Sequence, residues 1–228
     1  MSWRKTYEGA EPQRVNKWLA SEGVCSRREA EDLIAQGLVE IDGARVDDPG
    51  RKILPGQTIA VGAAQCAALT AVLNKPMGFV SAQPEFDQTP AARLLTRANL
   101  RGQAIAIPGR NTSLAPLGRL DQDSRGLLLL SEDGVLAKAV IGEKSLLDKE
   151  YVVTVRGAVT ERKLALLRHG LALDGHQLKP AEVTVLAPQR LRIVLTEGRN
   201  RQIRRMCELV QLEVVDLFRV RIGPLRLG

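Results

Sequence analysis

The chain has 228 residues, 44% hydrophobic and 26% charged, with 33 Lys and Arg against 26 Asp and Glu and a formal charge of +7. That is the composition of a soluble globular protein, long enough for a small module joined to a larger domain. No apolar run approaches the roughly 20 residues of a membrane span, and residues 1–11 are too polar for a secretory signal. Cys25, Cys66 and Cys207 have neither metal-ligand spacing nor the even count of a disulfide framework, so a cytoplasmic protein without zinc is expected.

In chain order, residues 12–62 read as a compact module. Val15, Trp18 and Leu19 fall at helical spacing. Ser26-Arg27-Arg28-Glu29 has the form of a capping box opening a second helix, whose apolar face is Ala30, Leu33 and Ile34 and whose end is Gly37. Residues 38–41 alternate as a strand, Asp42-Gly43 signals a tight turn, and Pro55-Gly56 turns the chain into a strand over 58–61. Small uncharged residues at 63–68 read as a linker.

Residues 69–228 form the second domain. The spacing predicts strand 69–74, helix 89–95, strands 115–117 and 127–131, helix 134–141, strand 150–156 and helix 160–168. Strands 182–187 and 191–196, helix 200–210 and strand 213–220 follow. Strands that adjoin without an intervening helix predict an α+β domain with a mixed, largely antiparallel sheet.

Three segments of this domain hold the candidate chemistry. Arg119-Leu120-Asp121 lies in a short polar loop between strand-like segments, where a buried scaffold presents side chains to solvent. Tyr151 follows Lys149-Glu150 at the start of a strand. Residues 197–206 turn into a helix with arginines at 199, 201, 204 and 205, Ile203 and Met206 sharing one face and Arg201 and Arg204 lying three apart. Residues 148–228 carry 15 Lys and Arg against 9 Asp and Glu, which favours a polyanionic partner. A carboxylate held by an arginine suits a nucleophile, an aromatic hydroxyl can stack on a base and exchange a proton, and arginines at a helix start grip phosphates. Plainer readings stand beside these. Asp121 is also a turn residue, Asp121 and Asp123 are also the beginnings of a cation site, the arginines are also a solvated face, and Tyr151 is also a sheet residue with a satisfied hydroxyl.

Gly118-Arg119-Leu120-Asp121, with Ser124 and residues 126–134, resembles the active-site signature of the RsuA-type ribosomal RNA pseudouridine synthases. Lys149-Glu150-Tyr151 resembles their second motif and residues 197–206 their third. Residues 14–61 resemble an S4 RNA-binding domain. Within the family, residues 149–155 and 200–208 are most similar to the RluF branch. The resemblance implies a uridine-to-pseudouridine isomerase with no cofactor and no metal, acting on ribosomal RNA, 23S before 16S rRNA or tRNA, or on an assembling ribosomal subunit, as a monomer. It implies Asp121 as nucleophile, Tyr151 stacked on the uracil and removing the C5 proton, and Arg204 paired with Asp121. Arg119 would fill the space left by the flipped uridine. Lys17, Arg27 and Arg28 of the module, with Arg199, Asn200, Arg201 and Gln202, would grip RNA. The chain departs from the family pattern at 101–114, which reads as an insertion, and at Leu227-Gly228, where a further strand and helix are expected. Two other functions fit the same residues: a catalytically silent RNA-binding or ribosome-assembly factor, and a metal-dependent transferase using Asp121 and Asp123.

Overall fold

The computed structural model describes residues 3–62, 68–81, 84–85, 87–104, 106–109, 112, 114–142 and 145–228. They fall into two units, one within 1–70 and 131–142, the other within 71–130 and 143–228. Most of the expected linker, 63–67, and residues 105, 110, 111 and 113 of the expected insertion lie outside the described residues.

In the first unit, Val15, Trp18 and Leu19 form the buried side of helix α1 (Val15–Ser21). The capping box forms: Ser26 Oγ accepts from the Glu29 N–H at 3.2 Å, the Glu29 carboxylate accepts from the Ser26 N–H, and α2 (Arg27–Ala35) begins. Ser26→Ala is expected to lower the unit's stability by about 1 kcal/mol, read as an earlier urea midpoint. Helix α2 closes where the Gly37 N–H donates to the Ile34 carbonyl and the Leu38 N–H to the Leu33 carbonyl, a pairing that needs the positive φ of Gly37, +72°.

The helices pack with a four-stranded sheet ordered β1 (Trp3–Thr6), β4 (Thr58–Val61), β2 (Val39–Ile41), β3 (Ala44–Arg45). Asp42 and Gly43, both at positive φ, make the hairpin turn between β2 and β3. Strand β1 lies ahead of the expected start of the module. Its sequence, Trp-Arg-Lys-Thr, carries no periodic signal, and pairing with β4 and an edge-on contact of Trp3 with Trp18 at 5.4 Å create the strand.

In the second unit the sheet is mixed and largely antiparallel, as expected. Its eight strands run β6 (Ala115–Pro116), β7 (Arg125–Ser131), β11 (Glu213–Ile222), β8 (Lys149–Arg156), β10 (Arg190–Leu195), β9 (Glu182–Ala187), with β5 (Thr70–Lys75) on β7 and β12 (Leu225–Arg226) on β11. Strands β7 and β11 pair in parallel, Arg125 opposite Phe218 and Gly126 opposite Arg219, whereas β8 pairs antiparallel with both β10 and β11. Helices α4 (Glu161–Arg168) and α5 (Gln202–Leu209) bury Leu164, Leu167, Ile203, Met206 and Cys207 against Val153, Val155, Leu191, Ile193 and Leu217. A smaller cluster of Ala91, Leu120, Leu128 and Leu130 forms with Leu73 and Phe79. Helix α3 (Gly134–Ile141), grouped with the first unit, is capped by the Asp133 carboxylate, which accepts from the N–H groups of Val135 and Leu136.

Two expected helices change. Residues 89–95 form a two-residue strand, Thr89–Pro90, and a single 3-10 turn, Ala91–Leu94. Pro90, extended at ψ 141° and without an N–H, prevents the turn from growing backwards into an α-helix. The helix expected from 200 starts at Gln202, because Arg201 adopts the left-handed conformation at φ +47°. No helix among the described residues is long and apolar enough to cross a membrane.

Candidate active site

The loop after β6 is fixed by its backbone before Asp121 is reached. Gly118 turns at φ +88°, and the carbonyls of Gly118 and Arg119 accept from the Arg219 guanidinium at 3.0 and 3.3 Å. Leu120 is buried, and the hydroxyl of buried Ser81 lies 2.8 Å from its N–H and 2.7 Å from its carbonyl. Past the acid, the Ser124 N–H donates to the Asp121 carbonyl, and the Gln122 carbonyl accepts from the Gly78 N–H at 2.8 Å. The Asp121 side chain, one-third exposed, is thus presented on a pinned turn.

The arginine helix supplies the positive charge. Arg201 Nη1 lies 3.6 Å from the Asp121 carboxylate, and Arg201 also makes a two-pronged pair with Asp123 at 2.8 and 3.3 Å. Arg204, expected to pair with Asp121, pairs instead with Asp123. Its Nη2 donates to the Asp123 carbonyl at 2.8 Å, its Nη1 to the Val214 carbonyl at 3.2 Å, and its Nε sits 3.3 Å from the Asp123 carboxylate. The reason is geometric: Arg204, 9% exposed, is buried beneath the loop, while the exposed Arg201 reaches over it. Burial alone would raise Asp123, but the hydrogen bonds of Arg201 and the charge of Arg204 outweigh it and hold Asp123 below the usual carboxylate range. Among the described residues no group of three or more His, Cys, Asp or Glu is placed to hold a metal ion.

Tyr151 is half-buried on β8, packed against both the sheet–helix core and the cluster that contains Leu120. The strand is locked on either side. Glu150, 6% exposed, binds Arg192 at 3.1 Å and Arg221 at 2.9 Å, and Asp148 takes two bonds from Arg221. The bonds from Arg192 lead in lowering Glu150 against the opposing effect of burial.

Of the other expected residues, Arg119, Lys17, Arg27, Arg28 and Asn200 are exposed. Arg199 is partly buried, its Nε 3.9 Å from Glu197. Gln202 is committed to the turn: it is 4% exposed, and its amide accepts from the Arg199 N–H and donates to Glu197, both at 2.9 Å.

Sequence reading missed Lys75, Ser81 and Arg219. Strand alternation held the signal for two of them, since Ala71, Leu73 and Lys75 share one face of β5, and Leu217 and Arg219 one face of β11. Lys75 is fully buried and donates to the carbonyls of Pro76 and Phe79 at 2.9 and 2.8 Å. Burial pushes its pKa down to about 8 against the pull of Asp121 and Asp123, and the Arg219 charge adds to the fall. Between about pH 8 and its ordinary 10.5, the unfolded chain keeps a proton that the folded chain has lost, so this group adds stability as pH rises through that window. Urea unfolding at about pH 7.5 and about pH 9.5 should show the wild type gaining on Lys75→Met at the higher pH.

Comparison with known proteins identifies the family. Residues 70–209 match the family described as RNA pseudouridylate synthase and residues 13–59 the S4 domain. The chain is 36% identical over 216 residues to the dual-specificity RNA pseudouridine synthase RluF of Escherichia coli (strain K12), covering 92% of this chain and 69% of that protein. It is 34% identical over 224 residues to ribosomal large subunit pseudouridine synthase B of Bacillus subtilis (strain 168), covering 94% and 87%. A solved pseudouridylate synthase superposes with a TM-score of 0.65 at 27% identity, over 94% of this chain and 90% of that one. With 140 of its 228 residues inside the catalytic match and an S4 domain ahead of it, the chain belongs to the RNA pseudouridine synthases.

Proposed function

We propose that the enzyme isomerises a uridine of 23S ribosomal RNA, with Asp121 as nucleophile. The observation that carries the reading is the presentation of a one-third-exposed Asp121 on a loop pinned by backbone bonds, with the Arg201 guanidinium 3.6 Å away. Asp121 attacks the ribose or the base and the C1′–N1 bond breaks. The uracil turns, its C5 bonds to C1′, and the bond that Asp121 formed breaks, returning the free carboxylate. The C5 proton leaves through the Tyr151 hydroxyl while N1 regains a proton from solvent, so atoms balance without metal or cofactor. The half-buried Tyr151 ring offers a face for the uracil, and exposed Arg119 takes the place of the flipped nucleotide in the helix.

Ribosomal RNA is favoured by relatives named for it or for RNA in general, and the large subunit by the name of the Bacillus relative. Lys17, Arg27 and Arg28 in the region matching S4, with Arg199, Asn200 and Arg201, supply phosphate contacts. Arg204 and Gln202 hold the loop and turn that carry these groups. On this reading residues 12–62 grip RNA, 63–68 link, 69–228 catalyse, and a monomer works in the cytoplasm. The test is tritium release from 23S and 16S transcripts labelled with [5-3H]uridine, with EDTA present. Release from 23S alone is the expected result. Release from 16S alone overturns the substrate, and binding without release from either overturns the reaction.

A further inference from the structure

We propose that Arg219 is a positioning residue for the reaction, a buried clamp that ties both ends of the Asp121 loop to the central strand of the sheet. The inference rests on the reading of Asp121 as nucleophile. Arg219 is 1% exposed and forms no ion pair among the described residues, an expensive state for a guanidinium. Each of its side-chain hydrogen bonds goes to a main-chain oxygen, two on the Asp121 loop and one on strand β7. Nη2 reaches the Gly118 carbonyl at 3.0 Å, Nη1 the Arg119 carbonyl at 3.3 Å, and Nε the Leu127 carbonyl at 2.7 Å.

Those acceptors bracket the acid: two lie just ahead of Asp121 and one lies on β7 beyond it. Together with Ser81 on Leu120, they fix the backbone at 118, 119 and 120, leaving Asp121 as the first residue of the turn whose carboxylate is presented outward. Charge-assisted bonds to carbonyls are roughly twice as strong as neutral ones, and a planar guanidinium is the one side chain that can reach three acceptors in a fixed fork.

The backbone is shaped to admit this clamp. Gly126 pairs with Arg219 across the parallel β7–β11 step at φ +110°, and a Cβ there would lie 2.3 Å from the Arg219 carbonyl oxygen and 2.8 Å from its nitrogen. Only glycine lets the two strands approach so closely, and that approach brings the guanidinium beneath the loop. A residue needed only to fill the core would be apolar at this inward position, as Leu217 and Ile222 are.

The test compares the full chain with Arg219→Gln, Arg219→Lys and Asp121→Asn, using single-turnover tritium release from [5-3H]uridine-labelled 23S transcript alongside the dissociation constant for the same RNA. Misplacing a reacting group by about 1 Å costs on the order of 100-fold in rate, and Arg219→Gln is expected to lose about that much with RNA affinity unchanged. Arg219→Lys, which keeps the charge and part of the bonding, should recover part of the rate. Amide exchange should quicken at 118–124 and stay as in the wild type at Val15–Ser21. A wild-type rate in either folded variant overturns the inference, as does a fall in RNA affinity that matches the fall in rate. Failure of both variants to fold cooperatively also overturns it, leaving Arg219 a residue of the fold alone. Retained activity in Asp121→Asn instead overturns the underlying reading.

Discussion

Asp121→Asn is expected to lower the single-turnover rate of tritium release by at least about 10⁴-fold, the scale seen when a nucleophile is removed from an active site, while RNA binding stays close to wild type. The carboxamide is nearly isosteric with the carboxylate, so the loop geometry survives. Its neighbours show why: the Asp121 carbonyl accepts from the Ser124 N–H and Leu120 is held by Ser81, neither through the Asp121 side chain. The substitution removes the negative charge 3.6 Å from Arg201 but leaves that arginine its two-pronged pair with Asp123. The binding groups expected on α1, α2 and the 199–201 turn are untouched. Parallel filter-binding and tritium assays check the prediction. A variant that keeps more than a hundredth of the rate would require another nucleophile.

The second large effect falls on stability as well as rate. Arg204→Met is expected to cost about 2 kcal/mol of unfolding free energy, the scale of leaving buried acceptors without their donor, the ion pair itself adding little because the Asp123 side chain is 46% exposed. It should also lose about 100-fold in rate through displacement of the loop. The methionine fills much of the space but leaves the Val214 and Asp123 carbonyls without their guanidinium donors, 3.2 and 2.8 Å away in the wild type. It also removes the charge that helps hold Asp123 below the usual carboxylate range. Lysine cannot replace the fork, since its single ammonium reaches one carbonyl or the other. Urea unfolding gives the stability loss and single-turnover release the rate. Arg201→Met provides the contrast. Arg201 is exposed and pairs at the surface, so its loss should change stability little while weakening the charge beside Asp121.

Much of the fold could be read from local sequence. The capping box at Ser26, the helix stop at Gly37, the Asp42-Gly43 turn and the alternation of β8 and β10 are each set by residues within a few positions of one another. The failures share a different origin. Trp3–Thr6 becomes a strand through pairing with residues more than fifty positions away, and the 89–95 helix fails at one proline. Arg201 as the first residue before α5, in left-handed conformation, had no composition cue, since arginine seldom adopts it.

The site divides in the same way. The chain by itself marked the residues proposed to carry the chemistry: Asp121 in its polar loop, Tyr151 on its strand and the arginine-rich turn stand out through the resemblance of their motifs to a family, where spacing alone left plainer readings beside each. Which arginine meets which carboxylate was decided only by tertiary structure. Arg201 and Arg204 lie three apart on one element, and only the depth of each beneath the loop separates the exposed partner of Asp121 from the buried partner of Asp123. Lys75 and Arg219 are likewise ordinary strand residues until the sheet closes over them. Strand pairing then sets 118–121 and 127 beside 219, and burial turns a surface-type side chain into a clamp, because a guanidinium out of water must find its oxygen partners within the fold.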